Sequence, residues 1–349
     1  MARKTSARPR KKVLDVTVVL FEGGYASTAV APIEVFQSAG ALWNMFHGKD
    51  QEPRFRVRVA SIDGNKVPTI TPLTLLPECS IDEVKHTDII VLSAADWHVR
   101  QKVMRTTKFL SWLRKWHERG AYMAGVCAGV AFLAEAGLLD GRRATTHWAL
   151  DREFREHYPG VRWQTEKFVT EDQRVMCSGG IYAAVDLSLY LVEKFCGHEI
   201  ALQCAKSLLL SLPRDRQSGY AAAPLSRPHD DEKIQDIEDW LGRNVGGAIS
   251  IERMAERAGM GRRSFLRRFK AATGQMPGAY VQSLRVGAAR QLLERGASSI
   301  QTVCSKVGYE DLAFFRGLFK RHTGMTPAEY RDRFADMSFD RGQLAGGSG

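Results

Sequence analysis

Apolar and polar positions follow two different rhythms along this 349-residue chain. Up to about residue 212, short apolar runs alternate with helix-length amphipathic stretches. Residues 13–21 (VLDVTVVLF) are apolar and β-branched enough for a buried strand, and residues 31–46 predict a helix. Residues 55–62 alternate as a strand, and residues 87–92 (TDIIVL) predict another, followed by a long amphipathic helix ending near Arg119. Residues 122–126 predict a strand with a helix opening directly after Cys127, and residues 198–212 an apolar helix. Strands alternating with helices predict a parallel sheet covered on both faces. Past Asp231 the period is helical throughout.

That second region contains an internal repeat. Ser250-Ile-Glu-Arg-Met-Ala-Glu-Arg-Ala-Gly259 is followed by Phe265, Phe269-Lys270, Thr273-Gly274, Pro277 and Tyr280. Ser299-Ile-Gln-Thr-Val-Cys-Ser-Lys-Val-Gly308 is followed by Phe315, Phe319-Lys320, Thr323-Gly324, Pro327 and Tyr330. Ser250 and Ser299 suit N-caps, and Gly259 and Gly308 suit helix stops in the left-handed conformation. Met254, Ala255 and Ala258 form an apolar stripe that Val303, Cys304 and Val307 repeat. Two short helices joined by a glycine-bearing turn predict a helix-turn-helix, here present twice. The proline of each copy suits a first helical turn, and Thr326 with Glu329 has capping-box spacing. A long helix over 277–295, with Tyr280, Leu284, Ala288 and Leu292 on one side, is expected to hold the copies apart. Recognition helices on successive major-groove faces lie ~34 Å apart.

Charge adds a partner. The net charge is +11, and residues 261–274 carry Arg262, Arg263, Arg267, Arg268 and Lys270 with no acidic residue. A basic helix that spends its other face on two phenylalanines suits the groove of double-stranded DNA. Hydrophobic content of 44% is that of an ordinary globular chain, and no apolar run reaches the ~18 residues of a membrane span. Six cysteines without metal-ligand spacing suit a reducing cytoplasm and imply neither disulfide framework nor structural metal. Residues 1–12 are read as a basic disordered tail, 213–231 as a linker rich in Pro, Ala and Ser, and 335–349 as a disordered end.

About 100 residues of the repeat region resemble the DNA-binding domain of the AraC/XylS family. The resemblance implies recognition helices near 262–270 and 311–321. It assigns DNA contact to Arg262, Arg263, Leu266 and Arg267 in the first, and to Leu312, Ala313, Arg316 and Lys320 in the second. Family members often carry a basic residue where this chain has Gly317, so the second unit is expected to bind less strongly. Glycine there costs about 1 kcal/mol of helix propensity against alanine.

In the first region, Gly125-Val-Cys127-Ala-Gly129 between strand and helix has the form of a nucleophile elbow. A thiol at a helix N-terminus is favoured as thiolate, and Ala144-Thr-Thr-His147-Trp148 offers an imidazole partner. Leu133-Ala-Glu-Ala-Gly-Leu-Leu-Asp-Gly141, the His147-Trp148 segment, Cys177-Ser-Gly-Gly180 and Asp186 resemble the ThiJ/PfpI branch of the amidotransferase-like fold, over about 13–211. The resemblance implies a flavodoxin-like α/β domain. Joined to an AraC-type domain it resembles the GlxA subgroup of regulators, whose front domain senses small metabolites. Enzymes of this branch place an acid where Thr28 stands, so catalysis is not expected; no cofactor is expected either. The expected reading is a cytoplasmic transcription regulator with an all-α double helix-turn-helix domain and an effector held around Cys127, His147 and Trp148. Its partners would be double-stranded DNA, a small-molecule effector, a second copy in a homodimer and, for an activator, RNA polymerase. The alternatives are a thiol-dependent amidase or hydrolase with a DNA-binding appendage, and a redox sensor in which Cys127 is oxidised.

Overall fold

The computed structural model describes residues 13–96, 107–210, 217–220, 229–296 and 299–335. The basic tail 1–12, the start of the amphipathic helix at 97–106, most of the linker and the glycine-rich end lie outside the described residues. The chain divides into two compact units, Met1–Gln217 and Ser218–Gly349.

The first unit is built on strands β1 (Leu14–Val19), β2 (Phe55–Ser61), β3 (Val67–Pro68), β4 (Thr74–Leu75), β5 (Cys79–Ser80), β6 (Ile89–Leu92), β7 (Tyr122–Val126), β8 (Arg143–Ala144), β9 (Arg162–Trp163), β10 (Val169–Asp172) and β11 (Val175–Ser178). Seven of them form one sheet in the order β10-β11-β7-β6-β1-β2-β5. All neighbours in it are parallel except β10 and β11. Helices α1 (Ser27–Ser38), α2 (Leu42–Phe46), α3 (Thr107–Glu118), α4 (Val130–Glu135), α5 (Asp151–His157), α6 (Ala183–Cys196) and α7 (His198–Ser207) complete the unit. Successive strand residues serve opposite faces. Val19, Ile90, Leu92 and Met123 pack with α3, α4 and α5. Val16, Val18, Ile89, Val91 and Ala124 pack with α1, α6 and α7. Both faces are covered, as the alternation predicts. The helix expected over 31–46 is instead two, because the chain turns at Gly40 with φ +74°.

The second unit is helical: α8 (Glu232–Arg243), α9 (Ile251–Arg257), α10 (Arg262–Thr273), α11 (Pro277–Glu294), α12 (Ile300–Lys306), α13 (Leu312–Thr323) and α14 (Pro327–Phe334). The repeat holds down to individual bonds. Ser250 accepts from the amide of Arg253 and Ser299 from that of Thr302, both at 3.1 Å. Gly259 and Gly308 stop α9 and α12 at φ +64° and +82°, and Gly274 and Gly324 are left-handed C-caps of α10 and α13. Phe269 meets Tyr280 edge-on at 5.4 Å, as Phe319 meets Tyr330 at 5.3 Å. The expected capping box of Thr326 and Glu329 is closed in both directions.

The single stripe expected along α11 does not form. Its first half gives Tyr280 and Val281 to a core shared with α8, α9 and α10; its second half gives Val286, Ala289 and Leu293 to a core shared with α12, α13 and α14. A helix that walls two cores on different sides cannot carry one continuous stripe. Arg285 sits at the changeover. Its guanidinium donates to the carbonyls of Val245 (3.1 Å), Gly247 (2.8 Å) and Gly308 (3.0 Å), joining the loop before α9 to the turn after α12.

Candidate functional site

The second unit exposes a run of five basic residues on α10. In α10, Phe265 and Phe269 are wholly buried, while Arg262, Arg263, Arg267, Arg268 and Lys270 are exposed and Leu266 is half-buried. These charges are not equivalent. Arg268 is held by a forked pair to Asp231, the N-cap of α8, at 2.6 and 3.0 Å. Arg262 lies 3.5 Å from Glu252, both well exposed, a pairing worth little in water. Arg263, Arg267 and Lys270 have no acidic partner among the described residues. The exposed surface of α10 thus carries three cations without an acidic partner among the described residues and one loosely held. Proximity to Arg268 holds the Asp231 carboxyl below the usual carboxylate range.

In α13, Phe315, Leu318 and Phe319 are buried, and Ala313, Arg316, Gly317 and Lys320 are exposed. Leu312 is half-buried and packs partly on the core of its own subunit of the repeat. Phe314 is 49% exposed, an aromatic on the outer surface that sequence reasoning left unused. Asp311 caps α13, accepting from the amides of Ala313 and Phe314. A Cβ at Gly317 would meet nothing within 4 Å, so no packing requires glycine there.

In the first unit the loops at the C-terminal edge of the sheet converge on Cys127. This residue takes φ +53°, the strained left-handed geometry of an elbow, and begins a 3-10 turn before α4 starts at Val130. The expected thiolate does not form. Burial pushes the thiol up to about 11, which outweighs the amide of Ala128. Only a short helix follows, and its dipole is too small to offset desolvation of an anion.

The other expected participants are also committed elsewhere. His147 Nδ1 accepts from the amide of Ala149, burial keeps its ring neutral, and no hydrogen bond joins it to the Cys127 thiol. Its ring lies beside that of Trp148 at 5.3 Å. Thr28, the position at which the resemblance led an acid to be expected in enzymes, is buried; its hydroxyl donates to Tyr25 O at 2.6 Å and accepts from the amide of Ala94 at 3.1 Å. The hydroxyl of Thr146 donates to Cys127 O, which fixes the 145–148 segment against the elbow. At the opposite edge of the sheet, Asp15, His86 and Asp88 bring ligand atoms within 4.8 Å of one another. His86 is exposed and Asp88 accepts from the amide of Asp15, so this trio pins the starts of β1 and β6.

Sequence reasoning missed Gln217. It lies within the stretch read as a linker, yet it is 2% exposed and its carboxamide reaches four groups of the 145–148 and 167 segments. No local pattern announces it, because its partners are 50 to 72 residues away.

Comparison with known proteins accounts for both units. The DJ-1/PfpI family model matches residues 15–194, and a helix-turn-helix domain model matches residues 254–333. The HTH-type transcriptional regulator CdhR of Pseudomonas aeruginosa is 28% identical over 309 residues, 88% of this chain and 87% of that one. The HTH-type transcriptional regulator Rv1931c of Mycobacterium tuberculosis is 37% identical over 233 residues, 65% of this chain and 88% of that one. The HTH-type transcriptional regulator GlxA of Rhizobium meliloti is 26% identical over 224 residues, 63% of this chain and 68% of that one. The chain belongs to the DJ-1/PfpI family and, within it, to the transcriptional regulators that join such a domain to an AraC-type helix-turn-helix domain.

Proposed function

We propose that this regulator reads DNA mainly through α10 and is controlled by a small metabolite held at the C-terminal edge of its sheet. The observation that carries the first half is the uncommitted basic face of α10 above its buried phenylalanines. Arg262, Arg263, Leu266 and Arg267 contact one major-groove segment of double-stranded DNA; Leu312, Ala313, Arg316 and Lys320 contact the next. The second set is poorer in charge and suits thymine methyls more than bidentate base contacts. The sensing domain spans about 13–212 and the DNA-binding domain 232–334, with the linker between. The protein works in the cytoplasm as a homodimer and, as an activator, engages RNA polymerase; family resemblance alone supports these last points.

The front domain senses rather than turns over its ligand. A protonated thiol, an imidazole whose Nδ1 is already bonded and a threonine in the acid's place support that reading. Open sheets of this kind bind ligands outside the carboxyl ends of their strands, which is where Cys127, His147 and Trp148 lie. The direct test is a binding titration on duplexes selected from a random pool. Arg267→Ala is expected to weaken affinity at least tenfold and to flatten the salt dependence by about one released counterion. Unchanged affinity, or binding indifferent to salt, overturns the assignment.

A further inference from the structure

We infer that the cradle formed by Thr145, Thr146, Trp148, Lys167 and Gly179 is a binding site for a primary carboxamide or urea group, and that Gln217 is its built-in occupant. The inference rests on the effector reading above and names the chemistry of that site. The Gln217 amide nitrogen donates to Thr146 O at 2.8 Å, Lys167 O at 3.1 Å and the Thr145 hydroxyl at 3.3 Å; its oxygen accepts from the amide of Trp148 at 3.2 Å. The backbone of Gln217 adds a bond to Glu166 O at 2.9 Å. The two carbonyls can only accept, and the Trp148 amide can only donate. The occupant must therefore present an NH2 group on one side and an oxygen on the other. A carboxylate would set its second oxygen against two carbonyls, and an ammonium would leave the Trp148 amide facing no acceptor. No charged side chain takes part in these contacts.

The cradle is preformed and selective in shape. Thr145 and Thr146 are fully buried, and Thr145 also donates to Lys167 O at 2.9 Å, so the acceptors are fixed relative to one another. A Cβ at Gly179 would stand 2.4 Å from the Gln217 amide nitrogen, so glycine there is what admits the group. The hydroxyl of Ser178, next to it and fully buried, has no hydrogen-bond partner among the described residues. The site adjoins the elbow, since Thr146 bonds to Cys127 O and the His147 ring borders Gly180. Gln217 closes the first unit and Ser218 opens the DNA-binding one. A free ligand of this class displaces the Gln217 side chain and thereby frees from the cradle the residue that precedes the DNA-binding unit.

The test uses the full-length protein and propionamide, which reproduces the end of a glutamine side chain, with propionate as its control. Calorimetric titration of Gln217→Ala is expected to show propionamide binding with propionate at least tenfold weaker. Wild-type protein should bind propionamide about tenfold or more weakly than the variant, because a tethered competitor acts at an effective concentration of millimolar order. Adding Gly179→Ala should abolish the binding. Gln217→Glu provides a second arm should the alanine variant fail to fold: its carboxylate mismatches the two carbonyls, and the vacated cradle should accept propionamide likewise. Equal binding of amide and acid, or no amide binding to either folded variant, overturns the cradle. A metabolite that alters operator binding while leaving Gln217→Ala unresponsive to propionamide would remove the cradle and keep the effector reading. Amide binding with operator affinity unchanged in every variant would remove the effector reading and keep the cradle.

Discussion

Removing Arg285 should uncouple the two helix-turn-helix copies without unfolding either. Its guanidinium makes two half-buried bonds, to Val245 O and Gly308 O, and one exposed bond to Gly247 O. It also lies 4.9 Å from the centre of the Tyr309 ring. Charge-assisted bonds are worth about 1.5–3 kcal/mol each when shielded, and a half-exposed cation–π contact about 0.5–1 kcal/mol. The freed carbonyls rehydrate, so the lower ends apply and Arg285→Ala should cost about 2–4 kcal/mol. Neither hydrophobic core loses a side chain, so the loss falls on their relative placement. Hydrogen exchange should therefore quicken on the order of 10²-fold in residues 244–250 and 306–311 together, with α10 and α13 still protected. On DNA, wild-type affinity should fall sharply when about half a turn is inserted between the half-sites, and the variant should lose that sensitivity. Arg285→Lys should not restore it, because an ammonium cannot span three carbonyls as a planar fork does. Unchanged exchange in both loops, or a variant that keeps the wild-type spacing dependence, would refute the clamp.

Cys127 should resist alkylation in the native protein. With its thiol pushed up to about 11, roughly 10⁻⁴ of it is thiolate at pH 7; iodoacetamide should label it at least 10²-fold faster in urea, and rapid native sulfenic-acid formation would revive the redox reading. His322 is half-buried near Arg290 and Arg321, and burial chiefly lowers its pKa. The unfolded chain takes up a proton below about pH 6.5 that the folded one resists, so this contribution is complete above that pH and is lost as pH falls through it. His322→Gln should flatten the pH dependence of exchange in residues 312–334 between pH 7 and 5; an unchanged slope would refute it. Gly317→Arg adds a cation at a helical position open to solvent. Operator affinity should rise and the salt slope steepen by about one ion, and a slope equal to wild type would show that α13 does not approach phosphate there.

The features that could be read from sequence were those whose causes are local. Serine caps, glycine stops and the i, i+4 phenylalanines act within one or two helical turns, and each recurs in both copies where the pattern placed it. The covering of both sheet faces followed from periodicity in the same way, whereas the strand order, which depends on pairings between distant segments, did not. The elbow was legible as a turn but not as an electrostatic environment. The spacing of Gly125, Cys127 and Gly129 says that the thiol starts a helix, whereas its ionisation depends on how completely distant loops bury it. Thr28 shows the same division: its position along the chain suggested a missing acid, but only the fold reveals its bond to Ala94. Gln217 was the least legible residue, since a polar side chain among Pro, Ala and Ser reads as solvated unless its remote acceptors are known.

The double use of α11 also sets how such an array begins and ends. Each copy consists of a leading wall, a helix-turn-helix pair and a trailing wall, and α11 is trailing wall to the first and leading wall to the second. In the second copy α14 takes the trailing place, with its Pro327 and Tyr330 standing where Pro277 and Tyr280 stand in α11. It runs 8 residues where α11 runs 18, so it covers the core behind it and offers no surface for one ahead. Among the described residues, the helix after the Pro-x-x-Tyr sequence is thus long where it walls two cores and short where it walls one. A fragment starting after Gly296 would lack its leading wall, whereas residues 229–296 carry every element of the first core.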